Sequence, residues 1–212
     1  GKQIRNNSNI KDREIDLVFG GPPCQGFSMI GKRMLDDPRN SLLSHFVRIV
    51  DELRPKYFVM ENVKGLTVGN QKNFLKEVIA EFESRGYTVE DDYRVLNAAD
   101  FGVPQDRRRL FLYGCRDDQK LPKYPTPICS PRNSKFESVL PVGPSVSDAI
   151  SDLPDLDNFE TLWNQDWIKT KLGKPSTYSA ILRGDKTDSS DFSYPRKWEK
   201  SILTSSMRTE HT

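Results

Sequence analysis

The chain has 212 residues, 35% hydrophobic and 29% charged, with a formal net charge of +2. That length suits one domain and part of another, and the mixture suits a soluble globular fold. No apolar run approaches the roughly 18 residues of a membrane helix, and the polar start Gly1-Lys2-Gln3-Ile4-Arg5 carries no export signal. The cysteines Cys24, Cys115 and Cys129 are odd in number and lack a Cys-x-x-Cys spacing. They argue against a disulfide framework or a zinc site and predict a cytoplasmic protein. The almost neutral charge neither advertises nor excludes a local basic face for nucleic acid.

Residues 1–14 are polar and read as a loop. Ile15-Asp16-Leu17-Val18-Phe19 reads as a short buried strand. It runs into Gly20-Gly21-Pro22-Pro23-Cys24-Gln25-Gly26-Phe27-Ser28. Two prolines fix their φ angles and offer no backbone donors, so the strand must end there in a stiff turn. A thiol just past such a turn, at the carboxyl end of an α/β strand, sits where these sheets keep their active sites. A buried structural cysteine is the bland alternative.

Residues 29–40 read as a loop with its turn at Asp37-Pro38-Arg39-Asn40, and Asn40 or Ser41 can cap a helix. Leu42, Leu43, Phe46, Val47, Ile49, Val50 and Leu53 fall on one face at helical spacing, and Pro55 ends the helix. His45 beside that face reads as structural. Tyr57-Phe58-Val59-Met60 is a second buried strand leading into Glu61-Asn62-Val63. A helix then starts at Gly69-Asn70 with Phe74, Leu75, Val78, Ile79 and Phe82 on one face, stopped by Gly86. Tyr87 to Leu96 reads as one strand and Leu110-Phe111-Leu112-Tyr113 as another, with Arg107-Arg108-Arg109 leading in. The order strand, helix, strand, helix, strand, strand predicts parallel pairing followed by a hairpin.

Beyond Leu121 the pattern changes: nine of the 14 prolines lie there and hydrophobic periodicity fades. One short helix is expected around Ser145 to Leu153, with Ser145 as cap, and irregular structure with scattered aromatics follows from Pro154.

Cys24, Glu61 and the pair Arg107 and Arg109 thus stand at or near strand ends. Singly, Glu61 reads equally as a solvated loop residue and the arginines as a charged strand edge. Together a thiol, a carboxylic acid and guanidinium donors suit nucleophilic attack on a ring carbon, with the ring nitrogen protonated and an exocyclic oxygen held.

The loop Pro22-Pro23-Cys24-Gln25-Gly26-Phe27-Ser28, the triplet Glu61-Asn62-Val63 and the pattern Gln105-x-Arg107-x-Arg109 resemble three signature blocks of the DNA (cytosine-5)-methyltransferase family, in family order and at familiar spacings. The resemblance is close over about residues 13–127. It implies an α/β, Rossmann-like S-adenosylmethionine-dependent methyltransferase fold, here a partial half-sheet of parallel strands plus a terminal hairpin. The expected division is a partial catalytic domain over 1–127, a connector with a short helix over 128–154, and the beginning of a target-recognition region over 155–212.

The resemblance also implies roles. Cys24 attacks C6 of a cytosine flipped out of duplex DNA, so that C5 can take a methyl group from S-adenosylmethionine. Glu61 binds N3 and the exocyclic amine. Arg109 holds the cytosine O2 and helps position Glu61, with Arg107 in support. Pro23 and Leu42 line the cofactor side, and Gln25 and Ser28 contact the DNA backbone. The expected partners are double-stranded DNA and S-adenosylmethionine, with no membrane, in a bacterial cytoplasm at the nucleoid and in a restriction-modification setting.

The family's Phe-x-Gly-x-Gly cofactor block is absent from these residues, as are its final blocks. The chain is therefore expected to be a piece of a longer enzyme, or one subunit of a split enzyme whose second chain carries the missing half. Methylation of tRNA cytosine and a non-catalytic DNA-binding subunit are the competing readings.

Overall fold

A computed structural model describes residues 11, 14–23, 41–69, 71–132, 134, 137–188, 199 and 201–204. By its internal contacts the chain divides into two compact units, residues 1–97 with 107–126, and residues 98–106 with 127–212.

The first unit is a five-stranded sheet. Strand β1 (Leu17–Gly20) pairs parallel with β2 (Tyr57–Val63), Leu17 opposite Tyr57 and Gly20 opposite Met60. Parallel neighbours need a crossover, and helix α1 (Ser41–Leu53) lies between them in sequence. Strand β5 (Arg108–Arg116) runs antiparallel to β2 over its full length. Strands β3 (Tyr87–Val89) and β4 (Arg94–Asn97) both pair antiparallel with β5. The single strand expected over 87–96 is therefore broken at residues 90–93, and the expected final hairpin is a pair of short strands on one long one.

Helix α1 buries Leu43, Phe46, Val47, Val50 and Leu53. Leu42 is 52% exposed and Ile49 only half-buried, so the packed stripe is narrower than its seven apolar residues suggested. The helix stops at Arg54, whose φ of 50° is left-handed, and Pro55 cannot continue it. Helix α2 (Gln71–Glu83) buries Phe74, Leu75, Val78, Ile79 and Phe82. Gly86, at φ 78°, supplies the left-handed residue that turns the chain into β3. Asn70, expected at the helix start, lies outside the described residues.

The main hydrophobic cluster of the first unit packs on one face of the sheet. Phe58 and Met60 of β2 and Leu110 and Leu112 of β5 are fully buried there with α1 and α2. Phe58 stacks on Phe82 at 4.1 Å and meets Tyr87 edge-on at 5.6 Å. On the other face Tyr57, Val59 and Glu61 are half-buried, while Leu17 and Phe19 are 49% and 78% exposed. The short strand expected to be buried is thus covered on one face, and β1 is an edge strand of the described sheet. Part of the second face is closed by residues just after β5. Tyr124 lies 4.4 Å from the Tyr113 ring and donates to the Phe111 carbonyl at 2.5 Å. Burial pushes its hydroxyl up to about 12.

Gly114 has no room for a side chain: a Cβ there would lie 2.7 Å from the Phe58 ring and 2.7 Å from the Thr88 carbonyl oxygen. The carbonyl belongs to the ladder and cannot swing away. Gly114→Ala is therefore expected to cost about 3 kcal/mol, the upper end of overpacking, and to lower Tm by about 6–12 °C. Thermal denaturation checks this, and a shift below about 1 °C refutes the packing argument.

In the second unit, Ser145 caps helix α3 (Val146–Ile150) as expected, and the structure adds a reciprocal capping box: the Ser145 hydroxyl accepts from the Asp148 N–H, and Asp148 accepts from the Ser145 N–H. Helix α4 (Thr177–Leu182) is tied to it. The Ser176 hydroxyl donates to the Asp148 carbonyl at 2.5 Å, and Arg183 makes a two-pronged bond to buried Asp152, both contacts 2.6 Å. That guanidinium holds the Asp152 carboxyl below the usual carboxylate range. Strands β6 (Trp167–Lys169) and β7 (Ile202–Thr204) form a small antiparallel ribbon, where only irregular structure was expected.

Candidate active site

The site is built where β1 and β2 end side by side. Glu61 lies near the end of β2 on the face away from the core helices, because Phe58, Met60 and Asn62 alternate to the buried side. In the β2–β5 register Glu61 faces Phe111 and Val63 faces Arg109. Arg109 is two residues from Phe111 and so shares its face, diagonal to Glu61 and within reach of a long side chain. Arg107 continues the same alternation and Arg108 points away from it. The Arg-x-Arg spacing is what puts two guanidinium groups on the side of one carboxylate.

The contacts follow. Arg109 Nε lies 2.9 Å from Glu61 Oε1, and Arg107 Nη2 lies 3.7 Å from the same oxygen. A second Arg109 nitrogen donates to the Arg108 carbonyl at 2.9 Å, which fixes the plane of the fork. The Glu61 and Arg109 side chains are 32% and 27% exposed. A pair this wet contributes no more than about 1 kcal/mol to stability. Its effect is orientation: Oε1 is committed to the arginines and Oε2 is turned toward β1.

There Oε2 meets the turn that leaves β1. A Cβ at Gly21 would stand 3.0 Å from it, so glycine is what lets this backbone approach the carboxylate. The turn is held by Asn62, 4% exposed, whose side-chain amide donates to the Pro22 carbonyl at 3.0 Å. The Asn62 side-chain oxygen accepts from the Val63 N–H at 2.9 Å.

Of the residues expected from sequence, Glu61, Arg107 and Arg109 come together beside Gly21 and Pro22. Pro23 is exposed, and Leu42 stands exposed in the first turn of α1. Cys24, Gln25 and Ser28, with the loop over 29–40, lie outside the described residues. His45 is exposed. Two contributors carry little signal in the sequence alone: Asn62 stands there as the neighbour of Glu61, and Gly21 as part of the turn. An amide at a strand position whose alternation makes it buried was the available signal for the first.

The other two cysteines are structural in their surroundings. Cys115, on β5, is 1% exposed, its thiol donates to the Gln119 carbonyl at 3.4 Å, and burial pushes its pKa up. Cys129, in the second unit, is 6% exposed and lies 3.1 Å from the Ala99 carbonyl.

Comparison with known proteins points the same way. The family model of C-5 cytosine-specific DNA methylases matches residues 2–212. The Type II methyltransferase M.XorII of Xanthomonas oryzae pv. oryzae is 55% identical over 212 residues, all of this chain and 47% of its own length. M.AgeI of Thalassovita gelatinovora, also a Type II methyltransferase, is 37% identical over 201 residues, 88% of this chain and 46% of its own. The chain thus spans about half the length of these curated relatives. Among solved structures, a prophage-encoded E. coli protein assigned to DNA modification methyltransferases superposes with a TM-score of 0.61 at 29% identity, covering 86% of this chain and 47% of that one. The sheet is therefore part of a Rossmann-like methyltransferase fold. With a family model matched from end to end and an acid held by two arginines at paired strand ends, the chain belongs to the C-5 cytosine-specific DNA methylases.

Proposed function

We propose that this chain carries the cytosine-side half of a DNA (cytosine-5)-methyltransferase, with Cys24, Glu61, Arg107 and Arg109 as its catalytic residues. The observation that carries the reading is the Glu61 carboxyl, held by Arg109 at 2.9 Å and set against Gly21, three residues before the thiol.

The chemistry follows from those groups. The Cys24 thiolate forms a bond to C6 of a cytosine taken out of the stack. Glu61 gives a proton to N3 as the C5=C6 electron pair shifts, so the ring acquires no net negative charge and C5 becomes nucleophilic. Arg109 keeps Glu61 in place and offers donors to O2, and Arg107 adds positive potential on the same side. After methylation, water takes the C5 proton, the sulfur departs with its electron pair to restore the double bond and the thiolate, and N3 returns its proton to Glu61. Flipping the base costs a few kcal/mol, which stacking and edge contacts in this pocket must offset.

S-adenosylmethionine supplies the electrophilic methyl group. We read Pro23 and Leu42, both exposed, as one apolar border of a site for it. The glycine-rich block that would hold the rest is not among the 212 residues. We assign that part to a longer protein or to a second chain joining at β1, an edge strand whose Phe19 is 78% exposed. Gln25 and Ser28 are read as DNA-backbone contacts, and residues 155–212 as the opening of the target-recognition region. The setting is the bacterial cytoplasm, at the nucleoid, as the modification arm of a restriction system.

The test is methyl transfer from radiolabelled S-adenosylmethionine by the protein purified intact from its host. Label is expected at C5 of cytosine in unmethylated duplex DNA and not in tRNA. Label confined to tRNA, or duplex binding without transfer, would replace this reading by one of its competitors.

A further inference from the structure

The geometry points to Asn62 as a positioning residue that sets the Pro22–Pro23 turn against the Glu61 carboxyl; this rests on the function proposed above. The β1–β2 ladder ends with Gly20 opposite Met60. Continued by two residues, the same register brings Gly21 opposite Glu61 and Pro22 opposite Asn62. The close approach of Gly21 to the Glu61 side chain agrees with that continuation. Beyond Gly21, however, the next two residues on the β1 side have no donors to offer, because Pro22 and Pro23 lack N–H groups. Only their carbonyls can be anchored.

The Asn62 side chain supplies the missing rung. Its amide nitrogen donates to the Pro22 carbonyl while its oxygen is fixed by the Val63 N–H, so the amide cannot turn away. Being 4% exposed, it does not exchange this partner for water. One side chain therefore couples the residue next to the proposed general acid with the turn that precedes the proposed nucleophile. Two reacting groups on different strands need such a coupling, since displacement by about 1 Å can reduce a rate roughly 100-fold.

The experiment compares Asn62→Asp and Asn62→Ala with wild type in the intact protein. Asn62→Asp keeps the size and the acceptor for Val63 but cannot donate to Pro22 when ionised. Single-turnover covalent capture on duplex DNA containing 5-fluorocytosine is measured beside DNA affinity and thermal stability. The expected result is capture slowed by about 10–100-fold in both variants, with the dissociation constant for DNA unchanged within twofold and the folded fraction unchanged at the assay temperature. Capture at the wild-type rate by either folded variant overturns the assignment. So does loss of folding in both, or capture falling only in proportion to DNA affinity, since each makes Asn62 merely structural. Failure of wild type to be captured at all is a different result: it removes the proposed function, and the role of Asn62 with it.

Discussion

Cys24→Ser is expected to abolish methyl transfer and covalent capture on 5-fluorocytosine DNA, a loss of the order of 1,000-fold or more. In the proposed reaction the Cys24 thiolate is the nucleophile, and a serine hydroxyl in its place stays protonated at any pH the protein survives. Glu61 and the two arginines cannot rescue it, because none of them can form the bond to C6. The remaining cysteines make the result specific. Cys115 is buried, hydrogen-bonded and raised in pKa by that burial, and Cys129 is buried in the second unit. Cys115→Ala and Cys129→Ala should therefore keep capture, and peptide mapping of the trapped adduct should find the cytosine on Cys24 alone. Normal turnover by Cys24→Ser, or an adduct mapped to Cys115 or Cys129, would remove the nucleophile assignment. DNA affinity should survive in Cys24→Ser, since the change deletes no positive charge.

What was legible in the sequence was local or strictly periodic. The α1 stripe, its stop at Pro55, the Ser145 cap and the stop at Gly86 each depend on residues within a turn or two of one another. The alternation that puts Arg107 and Arg109 on one face follows from period two alone. What was not legible depended on partners far away in the chain. The exposure of Leu17 and Phe19 reflects what packs on each face of β1, and an apolar run carries no mark of that. The break at residues 90–93 arises because β3 and β4 each pair with β5. Trp167 and Thr204 pair across 37 positions with no signal at either end. Gly114 follows directly on the strand expected over 110–113 and carries no mark of its role, yet Phe58 and the Thr88 carbonyl leave space for nothing larger. Asn62 is the instructive case. Its type said only that a polar group stood at a strand end, whereas its meaning came from a proline 40 residues earlier that cannot complete the ladder by itself.

Glu61→Gln should slow single-turnover methyl transfer by about 100-fold or more, within the range for loss of a positioned general acid, while leaving DNA affinity within about threefold and stability within about 1 kcal/mol. The amide has the shape of the carboxyl and its oxygen can still accept from Arg109 Nε, now 2.9 Å from Glu61 Oε1. What it cannot do is give up a proton to N3 as sulfur attacks, so charge builds on the ring in the transition state and nowhere earlier. Such a loss falls on the rate of the bound complex and not on binding. Arg109→Lys supplies the contrast. It keeps a positive charge but loses the planar fork that the Arg108 carbonyl fixes and Glu61 reads, so the carboxyl remains but is loosely aimed. A smaller fall is expected there, about 10-fold, again with DNA affinity retained. An unchanged rate in Glu61→Gln leaves the protonation role untenable. A rate that falls only as far as DNA affinity does would make Glu61 a binding residue instead.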